Sequence, residues 1–142
     1  MKSATPLRPL SIDLEFLVRT YDIDFVGIVN NIVYIRWLED LRLKVLKEHL
    51  PLEHLLECGQ APVLVATHIE YLRSIRLFDD VMGCMWLEGL GKAKWTVGAE
   101  FTVKGTVMAT ASQTGVFVST TTMKPVRIPQ SLRVKFEHAR AE

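Results

Sequence analysis

The chain has 142 residues, 49% of them apolar and 23% charged. That is a length for one domain, 1–142, burying about 68–70% of its unfolded surface, and it excludes a two-domain dinucleotide enzyme or a (β/α)8 barrel of about 250 residues. Seventeen basic and sixteen acidic residues leave a net charge of +1, which is no footprint for nucleic-acid binding.

Residues Met1–Leu10 hold Lys2 and Arg8 but no apolar core, so no signal peptide is expected and the reading is cytoplasmic. Ile12, Leu14, Phe16 and Val18 alternate with Asp13, Glu15, Leu17 and Arg19, the pattern of a half-buried strand. Tyr21–Asn31, with Gly27 and two asparagines, reads as a loop. From Ile32 to His49 the period becomes helical: Tyr34, Leu38, Leu41 and Val45 share a face, widened by Trp37 and Leu46, against a polar stripe of Arg36, Asp40, Lys44 and Lys47. Asn30 or Asn31 is the expected N-cap, and Pro51 ends the helix.

A short polar piece, Leu52–Cys58, precedes four strand-like runs: Pro62–Leu72, Val81–Gly89, Trp95–Val103 and Thr106–Met123. Val63, Val65, Ile69 and Tyr71 are expected to share one face of the first run. The connectors Phe78-Asp79-Asp80, Gly89-Leu90-Gly91-Lys92 and Lys104-Gly105 are short enough for hairpins between neighbours. Gly105–Met123 carries no charge over 19 positions, but fewer than half are apolar, so it reads as a long strand and not a membrane helix. Pro129–His138 is expected to be a short helix entered through a proline. The order is one strand, one long apolar helix and four antiparallel strands: an α+β fold in which a five-stranded antiparallel sheet curves around a single helix.

Cys58 and Cys84 form no disulfide framework and no C-x-x-C pair, and are expected to be small buried hydrophobes. His49, His54, His68 and His138 lack zinc-type spacing, so no metal and no cofactor are expected; His68 reads as a partly exposed strand residue. There is no G-x-S-x-G, and Gly89-x-Gly91 is a hairpin turn without the helix a dinucleotide loop needs.

Chemistry concentrates in Tyr21–Glu39. Asp22 and Asp24 lie two residues apart, before the Gly27 turn and a helix start. A helix N-terminus offers free N–H groups and partial positive charge to an anionic oxygen, including a transient oxyanion. A carboxylate beside it can act on a bound carbonyl or on water. The other reading of the same spacing is that both aspartates only cap loop N–H groups.

The pattern Asp22-x-Asp24-x-x-Gly27-x-Val29, followed by Tyr34-x-x-Trp37-x-Glu39, resembles the motif of hotdog-fold acyl-CoA thioesterases, and within them the 4-hydroxybenzoyl-CoA thioesterase-like (YbgC-like) family. The resemblance runs through the strand–helix–four-strand order to Lys124–Pro129. Asn30-Asn31 with Tyr34 and Trp37 is also similar to a segment of acyl-ACP thioesterases. It implies a hotdog fold, hydrolysis of an acyl-CoA or acyl-ACP, and Asp24 as general base or nucleophile. It implies the backbone N–H of Asn31 as oxyanion donor, substrate contacts from Gly27, Val29 and Asn30, and Tyr34 and Trp37 as packing or acyl-pocket residues. Asp22 would orient the loop, and Glu39 would be a solvated helix residue.

Cations for the CoA phosphates are expected at Lys92 and Lys94, or else at Arg73 and Arg76. A thiolate leaves readily, since a thiol has a pKa of about 8.5, so one carboxylate and an oxyanion site suffice. The resemblance further implies a homodimer with sites at the subunit interface, or a homotetramer as a dimer of dimers. This chain has Ile28 where acyl-ACP thioesterases carry His, and Asn31 where many 4-hydroxybenzoyl-type members carry an aromatic residue or His. A non-catalytic acyl-thioester binding module is the reading from outside the enzymes.

Overall fold

A computed structural model of the chain describes residues 8–141. Strand β1 (Ile12–Leu17) alternates as its sequence dictates, with Ile12 and Phe16 buried and Asp13, Glu15 and Leu17 exposed. Helix α1 (Asn31–His49) buries Val33, Tyr34, Trp37, Leu38, Leu41 and Val45, a stripe at i, i+3 and i+4 spacing. Leu38 and Leu41 are wholly buried, each worth about 1.5–3 kcal/mol of transfer from water. Asn30 is the N-cap residue, without a side-chain cap hydrogen bond. The helix ends at Leu50, whose N–H donates to the Leu46 carbonyl at 2.8 Å, one residue before Pro51.

Helix α2 (Leu52–Glu57) leads into β2 (Gln60–Tyr71), β3 (Asp80–Leu90), β4 (Lys94–Val103) and β5 (Thr106–Ser119), and helix α3 (Gln130–Ala141) follows. The five strands form one antiparallel sheet in the order β1-β3-β4-β5-β2. β3–β4 and β4–β5 are hairpins as expected. The second turns on Lys104 (φ 51°) and Gly105 (φ 80°) between paired Val103 and Thr106, the two left-handed residues that match strand twist.

β2 and β3 are not a hairpin. β1 occupies the free side of β3, pairing Ile12 with Met85 and Phe16 with Val81, so β2 crosses to the opposite edge and pairs with β5. The connector is tied down instead, with Ile75 wholly buried. Nor do the expected residues of β2 share a face: the register slips between Leu64 and Ala66, and Val65 is 67% exposed. β5 stops at Ser119, short of Met123, because the Ser119 side-chain oxygen accepts the N–H groups of Thr121 and Thr122 and the chain folds back.

The core lies between α1 and the concave sheet face. Phe16, Tyr34, Trp37 and Phe101 make a continuous aromatic block, with Phe16 stacked on Trp37 at 5.1 Å and Tyr34 edge-on to Phe101 at 5.7 Å. Gly83 admits the Phe16 ring, since a Cβ there would sit 2.5 Å from Phe16 Cε2. The cysteine expectation is corrected: Cys58 is exposed at the end of α2, and Cys84 is half-buried on the outer sheet face beside Arg8. Among the described residues no helix is long and apolar enough to cross a membrane.

Candidate active site

The chain leaves β1 through a 3-10 turn at Thr20–Asp22. Asp22 is buried, its Oδ2 accepts the Arg19 N–H at 2.9 Å, and its carbonyl accepts the Asn30 N–H at 2.8 Å. Its carboxylate is spent on the loop. Asp24 is exposed, and its Oδ1 accepts the N–H groups of Val26 at 2.9 Å and Ile28 at 3.2 Å. Asp24 Oδ2 has no hydrogen bond among the described residues. One oxygen of this carboxylate therefore caps the turn and fixes the group, as the capping reading expects.

Gly27 closes the turn at φ 79°, a left-handed value that glycine adopts without penalty. The loop is stitched to the β2–β3 connector: Val29 N–H donates to the Ile75 carbonyl at 2.8 Å, and Leu77 N–H to the Gly27 carbonyl at 3.1 Å. Both bonds hold the loop against that connector.

Asn31 and Tyr34 in the first turn of α1, with Ile28, Tyr71, Arg73 and Ser74, border a cavity of about 130 Å³. No acidic residue lies in that first turn, and the N–H groups of Asn31 and Ile32 find no acceptor among the described residues, so the positive end of the helix faces the cavity unneutralised. Tyr34 is buried, edge-on to Tyr71 at 5.0 Å, and burial pushes its hydroxyl pKa up to about 12.

Of the expected residues, Val29, Asn31 and Tyr34 border this cavity, whereas Asp24, Gly27 and Asn30 lie in the adjoining loop and do not line it. Trp37 lies one turn further into the aromatic block and does not border this cavity. Lys92 and Lys94 sit at the other end of the protein, in the β3–β4 hairpin, next to Trp95, which faces the C-terminal residues of α1. Arg73 borders the cavity at the helix start.

Sequence reasoning missed two groups. Tyr71 and Ser74 reach the helix start only because β2 crosses the sheet. Arg42 of α1, Gln113 of β5 and Thr67 of β2 form a chain, in which the Arg42 guanidinium donates to Gln113 Oε1 at 2.6 Å and Gln113 Nε2 to Thr67 Oγ1 at 3.0 Å. The available signal was the single amide in the uncharged run of β5. Among the described residues no three His, Cys, Asp or Glu side chains gather as a metal site.

Residues 18–136 match the sequence profile of the thioesterase-like superfamily. Among solved structures, a Thermus thermophilus thioesterase complexed with coenzyme A and Zn is 25% identical, with a TM-score of 0.79 over 92% of this chain and 94% of that one. A DHNA-CoA thioesterase from Staphylococcus aureus is 19% identical, with a TM-score of 0.83 over 92% and 91%. A hypothetical protein from Staphylococcus aureus in complex with CoA is 16% identical, with a TM-score of 0.86 over 98% and 89%. Among curated proteins none matches. The profile covers most of the chain, and the neighbours share its long helix and five-stranded sheet. The chain therefore belongs to the thioesterase-like superfamily, as a thioester hydrolase of the hotdog fold.

Proposed function

We propose that the protein hydrolyses an acyl-CoA to the free acid and CoA, with Asp24 as the catalytic carboxylate. The observation that carries this reading is the state of that side chain: Oδ1 is pinned by two loop N–H groups while Oδ2 has no hydrogen bond among the described residues, in the loop that leads into the uncapped start of α1. As general base, Asp24 takes a proton from water as the water oxygen attacks the thioester carbon. As nucleophile, Oδ2 attacks directly and a mixed anhydride is then hydrolysed. In both routes the carbonyl oxygen becomes an oxyanion that the Asn31 N–H accommodates, and the tetrahedral intermediate expels the thiolate.

Gly27, Val29 and Asn30 shape the loop that meets the thioester, Tyr34 forms a wall, and Trp37 supports it. Neighbours solved with CoA support the carrier, whose phosphates need cations such as Arg73, Arg76, Lys92 and Lys94.

The site is completed in a homodimer. β2 is an edge strand with Val65 and Tyr71 exposed at 67% and 45%, Leu72 just after it is 56% exposed, and α1 exposes Ile32, Ile35 and Leu43 on one side. A long apolar edge of this kind invites pairing with another strand. A two-fold axis normal to the sheet through paired β2 strands sets the two α1 helices antiparallel. The helix start of one copy then lies towards the hairpin lysines of the other. Free-thiol release over a panel of acyl-CoAs tests the reading. Turnover of at least one member supports it, and none across the panel contradicts it.

A further inference from the structure

A second cavity, of about 170 Å³, lies between the C-terminal half of α1 and the inner face of the sheet. Its walls include Leu46, Met85, Val97 and Phe117, and Leu132 of α3 borders it. An apolar cavity of about 150 Å³ is known to hold benzene, so this one has room for a group of about six carbons.

Its polar fittings are unusual for a packing gap. Arg42 borders it, held by the neutral amide of Gln113, which is 1% exposed. No carboxylate lies within ion-pair distance of this guanidinium among the described residues, and burial pulls its pKa down. Trp95, 6% exposed, leaves Nε1 without a partner among the described residues. His49 Nε2 is likewise unpartnered, with Glu48 Oε2 at 4.0 Å. Buried donors on residues that line such a space are satisfied by an ordered water or by an acceptor that a ligand brings.

The exposed lining residues, Glu39, Leu43 and Leu64, lie on the α1 and β2 side, the surface assigned above to the second copy. Within one chain the aromatic block of Phe16, Tyr34, Trp37 and Phe101 stands between this cavity and the helix start. Arg42 is eleven residues along α1 from Asn31, roughly 16 Å. With the two helices antiparallel, the helix start of the partner copy comes alongside this rim.

We infer that the cavity takes the far end of the acyl group, a hydrocarbon of about six carbons carrying an acceptor oxygen, whose thioester is held by the other copy. This rests on the acyl-CoA reading above, and its test does not use catalysis. S-alkyl-CoA thioethers, which cannot be hydrolysed, are titrated calorimetrically from methyl to decyl, together with the 6-hydroxyhexyl compound. Affinity is expected to rise about fourfold per methylene, level off near hexyl, and be at least as high for 6-hydroxyhexyl as for hexyl.

Leu46→Trp and Val97→Phe, each filling the cavity from a different wall and each checked for folding by circular dichroism, are expected to move the plateau to shorter chains. Affinity that is flat with chain length, a hydroxyl that weakens binding tenfold, or a plateau unmoved in the folded variants overturns the inference. Length-dependent binding with no hydrolysis of any acyl-CoA would sustain the pouch and count against the catalytic reading instead.

Discussion

Replacing Gln113 with leucine removes the only hydrogen-bond partner that Arg42 has among the described residues. The lost bond is 2.6 Å long and charge-assisted, a class worth about 1.5–3 kcal/mol. The bond to Thr67, an exposed residue, adds about 0.5 kcal/mol because water replaces it. The guanidinium recovers part of the loss through the cavity, and leucine gains some burial, so the net cost is about 2 kcal/mol, or about 6 °C in Tm. Arg42→Met alone should cost a similar amount by leaving the buried Gln113 amide oxygen unpaired. The double variant replaces both partners with apolar groups and should cost far less than the sum. A double-mutant cycle from urea denaturation at fixed protomer concentration reads the coupling, expected at about 2 kcal/mol. Single-variant costs that add within about 0.5 kcal/mol would refute the view that these side chains act as a unit.

Gly115→Val drives a side chain into the Trp95 indole and the Val63 carbonyl; a loss of about 3 kcal/mol is expected, and a wild-type denaturation midpoint would show that the indole does not lie there. Burial, and after it a hydrogen bond with Asp13, pushes the Cys84 thiol pKa up to about 11, whereas Cys58 is exposed. At pH 8 a thiol reagent should titrate one cysteine per chain in native protein and two in urea; two fast-reacting thiols in native protein would contradict the burial. Burial, with Lys135 nearby, lowers the His49 pKa. As pH falls through about 6.5 the unfolded chain binds the proton first, so this contribution to stability is complete above that pH and is lost below it. His49→Gln should show a smaller drop in urea midpoint between pH 7.5 and 5.5, and identical drops would refute the assignment.

The elements were legible because their patterns are local. The period of two in Ile12–Val18 and in Trp95–Val103, and the helical stripe through Tyr34, Leu38, Leu41 and Val45, each report one buried face. The path of β2 was not legible, because short connectors look the same whether the next strand pairs with its neighbour or crosses the sheet. What decides it is competition for the edge of β3, which β1 wins through Phe16 and the space at Gly83. At the site, the Asp22 and Asp24 spacing does not tell the two carboxylates apart, and burial does: Asp22 is enclosed and Asp24 is not. The grouping of Arg42 with Gln113 joins positions 71 residues apart and follows no periodicity.

The central claim is that the Asp24 carboxylate performs the hydrolysis, and Asp24→Asn isolates it. The amide keeps an oxygen for the Val26 and Ile28 N–H groups, so the fold should be retained while the base or nucleophile is lost. General-base removal costs about 10²–10⁴-fold in rate. Thiol release measured with wild-type and Asp24→Asn protein, on the best substrate of an acyl-CoA panel and with matched denaturation midpoints, is predicted to fall by at least a hundredfold in kcat. A folded Asp24→Asn protein that turns over within tenfold of wild type would contradict the account.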